Sequence, residues 1–161
     1  MSMRFSMLLT VLVLGASMAQ ADETQPWKSP NWEPITEAER QPATEAEIAQ
    51  VSLAPQTADG HRYLTGGFGV AERAWLAEHG ADFPLRLEFS RGARGEFVSA
   101  VVLRLDRGGE QVFEATSDGP LMYVDLPAGR YAGEAVYRDA TRTFSVDVPQ
   151  TGQARAHVNF P

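Results

Sequence analysis

Gly66, Gly67 and Gly69 stand between an apolar run and a helix-forming run in the stretch "YLTGGFGVAERAWLAEHG". Strand, glycine turn and helix in that order can aim backbone N–H groups from a helix N-terminus at a phosphate. Neither phosphate-binding fingerprint is complete. The dinucleotide loop needs Gly-x-Gly-x-x-Gly, and after Gly67 and Gly69 the place of the third glycine is held by Glu72. A P-loop ends in Gly-Lys-Ser/Thr, and no lysine lies in this region. Both motifs also belong to parallel α/β units, whereas the segments that follow read as hairpins. Glu72, in the first turn of the helix, already complements the helix dipole where a phosphate would sit. Gly66, Gly67 and Gly69 are therefore read as a structural turn, and no cofactor is expected.

The other reactive residue types do not assemble by spacing. His61, His79 and His157 are far apart and fall in no His-x-x-Glu or His-Glu-x-x-His pattern, so no metal site is expected. Asp59 and His61 flank Gly60 at what reads as a solvated strand start. If the last two strands form a hairpin across "PQTG", with Val148 opposite Ala154, then Ser145 faces His157 and Asp147 faces Arg155 on the outer side. Asp147 would lie only diagonal to His157, about 7–8 Å away. An outer sheet face also supplies neither an oxyanion site nor shelter from water. Glu88, Glu96, Glu110, Glu114 and Glu134 interleave with Arg86, Arg104, Arg138 and Arg142, as on a solvated sheet. No catalytic residue is expected.

The elements around these residues divide the chain. Arg4 and the apolar run Phe5 to Met18, followed by Ala19-Gln20-Ala21, form a secretory signal peptide over residues 1–21 with cleavage near Ala21. No cysteine is present, which excludes a lipidated-cysteine anchor, and no later apolar stretch is long enough to span a bilayer. The expected location is the periplasm or the extracellular space. Residues 22–59 read as a Pro/Glu-rich flexible arm. "PWKSPNWEP" has a proline every fourth residue, which favours an extended, solvated chain. Thr44 to Glu47 has capping-box spacing, so a short helix is expected near residues 45–53. Trp27 and Trp32 sit in this arm, beyond the reach of a core, and are the expected partner-binding residues. The net charge of −7 argues against nucleic acid and anionic lipid surfaces as partners.

From residue 60 to 161 the pattern turns to period two. "LRLEFS", "VVLRLD", "LMYVDL", "YAGEAVYR", "TFSVDV" and "ARAHVNF" each place alternate residues on an apolar face. "RGARGE", "DRGGE", "SDGP", "PAGR", "RDAT" and "PQTG" mark the turns between them. The expectation is an all-β, antiparallel sandwich of about seven to eight strands in two layers, with one short helix over "GVAERAWLAEH". Pro127 and Gly129 are structural turn residues, the first presetting φ and the second permitting a positive one, with Leu126 and Tyr131 anchoring the flanking strands.

"DLPAGRYAGEAVY" (Asp125 to Tyr137), followed by "FSVDVPQTGQARAHVNF", resembles the end of a carboxypeptidase-regulatory-like, or transthyretin-like, domain, where a Leu-Pro-x-Gly-x-Tyr turn joins two strands. The resemblance extends over Tyr63 to Phe160 and to small exported bacterial proteins of that kind. It implies a transthyretin-like or Ig-like sandwich and a passenger or binding role. Hydroxyisourate hydrolases share the fold but end in Tyr-Arg-Gly-Ser, whereas this chain ends "VNFP". The expected function is thus a non-catalytic binding or assembly module of the bacterial cell envelope, with a protein or glycan partner. The alternatives are an inhibitor or immunity-type protein capping a secreted partner, and a small hydrolase.

Overall fold

The structure is a computed structural model that describes residues 42–161. The expected signal peptide and most of the arm, with Trp27 and Trp32, lie outside the described residues.

Helix α1 (Glu45–Ala49) opens at Thr44 with a reciprocal capping box. The Glu47 carboxylate accepts from the Thr44 backbone at 2.8 Å, and the Thr44 hydroxyl accepts from the Glu47 N–H at 3.3 Å. The Thr44 backbone bond, and after it the Thr44 hydroxyl, hold the Glu47 carboxyl below its ordinary range. The helix stops at Ala49, short of the expected Leu53, where β-branched Val51 and Ser52 weaken it and Pro55 bars continuation. Leu53 instead packs into an apolar cluster with Leu64, Leu76, Phe83, Leu121, Tyr123 and Trp75. Residues after α1 therefore belong to the same compact unit, Gln41–Pro161.

Ten strands follow: β1 (Gln56–Ala58), β2 (His61–Gly66), β3 (Leu85–Arg91), β4 (Glu96–Phe97), β5 (Val102–Arg107), β6 (Glu110–Thr116), β7 (Leu121–Val124), β8 (Gly129–Tyr137), β9 (Ala140–Val148) and β10 (Ala154–Phe160). Helix α2 (Val70–His79) lies between β2 and β3 in the chain. One sheet runs β1-β2-β7-β3-β10, with β4 paired to β3, and the other runs β6-β5-β8-β9. The very short β1 and β4 take the count past the expected eight or so. Inward residues of both sheets, among them Leu87, Phe89, Met122, Val158, Leu103, Phe113 and Tyr131, form one core.

Two features differ from the expectation. Strand β10 pairs with β3 in parallel, from Ala154 opposite Leu85 to Phe160 opposite Arg91, so the sandwich is not wholly antiparallel. The last two strands are also not a hairpin: β9 pairs with β8 in the other sheet. Gln153 fastens the start of β10 beside β3, its Nε2 donating to the carbonyls of Gly80 at 3.0 Å and Phe83 at 2.9 Å. Period two survives this change because it says which face is apolar and not which strand is the neighbour. The Pro127-Gly129 turn also crosses between sheets, from β7 to β8. There Gly129 has φ +154°, and the Tyr131 hydroxyl donates to the Pro127 carbonyl at 2.7 Å.

Strand β7 brings a third layer. Met122 and Val124 enter the inter-sheet core, while Leu121 and Tyr123 are buried on the opposite face under Leu76 and Trp75 of α2. Burial is the largest effect on the Tyr123 phenol and pushes its pKa up, with Arg86 and Arg155 opposing.

Two outcomes follow from this packing. A methyl group at Gly119 would lie 2.3 Å from the Gly66 backbone, whereas Gly69 has open space. Gly119→Ala should lower unfolding free energy in urea by about 3 kcal/mol, and Gly69→Ala by under about 1 kcal/mol. Because the folded Tyr123 pKa is raised, its contribution is complete below about pH 10 and is lost as pH rises through the folded value. Tyr123→Phe should therefore flatten the alkaline fall in stability followed by circular dichroism.

Candidate functional site

The outer face of the β1-β2-β7-β3-β10 sheet carries the residues of interest. Helix α2 covers β2 and β7, and the outer faces of β3 and β10 lie beside it. The loop before α2 is closed on itself. The Glu72 carboxylate accepts from the N–H groups of Gly67 at 2.8 Å and Phe68 at 3.3 Å. Those are donors that an anion would need, so the chain's own carboxylate fills the cradle. On the other side Arg73 Nη1 donates to the carbonyls of Gly67 at 3.1 Å and Phe68 at 2.7 Å. Gly66 and Gly67 have φ of +151° and +97°, and added methyls would strike Leu53 and Leu121, both at 2.9 Å. Gly69 serves as the helix N-cap.

The loop holds two apolar side chains in water. Phe68 is 53% exposed, Val70 39% and Phe97 43%, and these are the large exposed hydrophobics among the described residues. Arg73 joins them, since its guanidinium sits 5.7 Å from the Phe97 ring centre while also bonding the Phe68 carbonyl. Phe97 lies on β4, whose two residues are too few for alternation in the sequence to reveal a strand. Only the tertiary structure brings the Phe68 carbonyl and the Phe97 ring to the same arginine.

On β3 and β10 the outward residues form rows: Arg86 beside Arg155, Glu88 beside His157, and Ser90 beside Asn159. Ser90 is 1% exposed, and its Oγ lies 2.6 Å from His157 Nε2. Such a pair has the separation of a nucleophile and its base. Its protons run the other way. The Ser90 hydroxyl donates its one proton to Asn159 Oδ1 at 2.9 Å, so Nε2 must carry the hydrogen in the His157 contact. The buried hydroxyl joins two strands.

The expected outer pairings change with the topology. Ser145 lies opposite Ala132, and Asp147 opposite Arg130, both in the other sheet. The Ser145–His157 and Asp147–Arg155 pairings therefore do not form. The period-two pattern marks Ser90 as outward-facing, but only the parallel partner brings His157 to it. His61 Nδ1 contacts the Asp125 carbonyl at 3.1 Å, and His79 stacks on Trp75 with ring centres 4.0 Å apart. Among the described residues no three His, Asp or Glu side chains gather where they could hold a metal ion.

Comparison with protein-family models gives no match, and comparison with curated proteins gives none either.

The loop analysis carries a test. Glu72→Ala removes an acceptor shared by two backbone N–H groups. It should cost about 1.5–3 kcal/mol of stability in urea unfolding. Amide exchange at Gly67 and Phe68 should rise more than at Leu87 in the core.

Proposed function

We propose that this chain is a non-catalytic binding module of the bacterial cell envelope that engages a protein partner through Phe68, Val70 and Phe97 around Arg73. The observation that carries this reading is that Phe68, Val70 and Phe97 are the large hydrophobics left exposed among the described residues, with Arg73 bonded to the Phe68 carbonyl and set against the Phe97 ring. Aromatic and arginine side chains dominate binding energy at protein interfaces. Large apolar side chains left in water around a shared arginine are the composition of an interaction site. The transthyretin-like resemblance and the expected export support the same reading, since such sandwiches serve as passengers and binding modules. The Ser90–His157 contact supports a structural use of these groups, because the serine is buried and donates to Asn159.

The test is photo-crosslinking in cells with p-benzoylphenylalanine placed at position 68, at position 97, or at position 147 on the opposite sheet. Positions 68 and 97 should capture the same protein, with position 147 silent, and Phe97→Glu should abolish capture from position 68. Equal capture from all three positions, or retention of the purified protein on peptidoglycan in place of protein capture, overturns the reading. Phe97→Glu changes an exposed side chain, so its stability should stay within about 0.5 kcal/mol of the parent.

A further inference from the structure

The parallel pairing of β10 with β3 creates a charge arrangement that the other described strand pairs avoid. Arg155 stands directly beside Arg86 on the neighbouring strand. Like charges in that position destabilise a sheet. Elsewhere Arg62 pairs with Asp125, Arg91 with Glu96 and Arg104 with Glu114, while Arg130 stands opposite Asp147. Among the described residues no carboxylate lies within ion-pairing distance of Arg155, and Arg86 reaches only Glu88, at 3.4 Å. Arg86, Glu88, Arg155, Ala156 and His157 line a hollow of about 310 Å³. Its single carboxylate faces two guanidinium groups in a protein whose net charge is −7.

Two of the lining side chains have neighbours that position them. The Arg86 guanidinium lies 5.8 Å from the ring centre of the buried Tyr123. Contact with a ring face leaves the N–H edge of a guanidinium free to bind. His157 is held by Ser90 at 2.6 Å. We propose that Arg86 and Arg155 form a binding site for an oxyanion, a carboxylate or phosphoryl group, on the open half of this sheet face, with His157 lining its edge and its Nε2–H already given to Ser90. Guanidinium forks match both groups through paired, charge-assisted hydrogen bonds. Glu88 is the internal competitor that an arriving anion displaces from Arg86. The site is separate from the apolar surface proposed above and does not depend on it.

The test is a nitrogen–proton NMR titration with inorganic phosphate and, separately, acetate, at constant ionic strength. Signals of Arg86 and Arg155 should shift saturably. Arg155→Gln should weaken binding about ten-fold, and Glu88→Gln should tighten it several-fold, a gain that loss of folding cannot produce. Tighter phosphate than acetate assigns the site to phosphoryl ligands, and the reverse order to carboxylates. Shifts that never saturate, or saturation unchanged by Arg155→Gln, overturn the proposal.

Discussion

Strand β7 has no polar face. Leu121 and Tyr123 point one way, Met122 and Val124 the other, and all four are buried. A strand of this kind needs apolar cover on both sides, and the other sheet can supply only one of them. Helix α2 supplies the second through Leu76 and Trp75. The glycines around β7 follow from that demand. A methyl at Gly67 would meet Leu121 at 2.9 Å, and one at Gly80 would meet the Tyr123 ring at 2.6 Å. Each marks a place where the backbone around the helix comes too close to β7 for a side chain.

Covering β7 also decides what stays open. A ten-residue helix seated over β2 and β7 leaves the outer faces of β3 and β10 in contact with water. Those faces carry Arg86, Glu88, Arg155, His157 and Asn159, and only Ser90 is buried there. The helix start, by contrast, is where the chain leaves the sheet, and the two apolar residues there, Phe68 and Val70, are exposed. One packing requirement thus produces two unlike surfaces on the same side of the molecule.

Much of the fold was legible because burial on one face writes itself as alternation. Leu103 and Leu105, Met122 and Val124, and Val158 and Phe160 all face the core as period two implies. The turn at Pro127 and Gly129 was legible for a different reason: proline fixes φ and glycine admits a positive one, in each case without reference to a neighbouring strand. Strand partnership was not legible. The outward set Arg155, His157 and Asn159 is the same whether β10 pairs with β9 or with β3, and the contacts that tie β10 to β3, those of Gln153 among them, reach carbonyls some seventy residues earlier. Ser145 was placed on an outer face as the structure has it, yet beside the wrong strand. The candidate site lies where pattern is silent, since Ser90 meets His157, and Arg86 meets Arg155, only through that long-range choice. Trp27 and Trp32 fall outside the described residues.

The glycine loop joins the fold to its proposed use. Glu72 and Arg73 grip the Gly67-Phe68 backbone from opposite sides, one accepting from its N–H groups and the other donating to its carbonyls. That grip removes the free donors a phosphate would require. It also fixes the backbone that carries Phe68, while the same arginine steadies the Phe97 ring. Association is weakened by the entropy of ordering loops and side chains at an interface, so aromatic groups mounted on a locked backbone lose less on binding than the same groups on a mobile one. A loop that resembles a ligand cradle in composition is, by its hydrogen bonds, a rigid mount, and rigidity is the property an apolar docking surface gains most from.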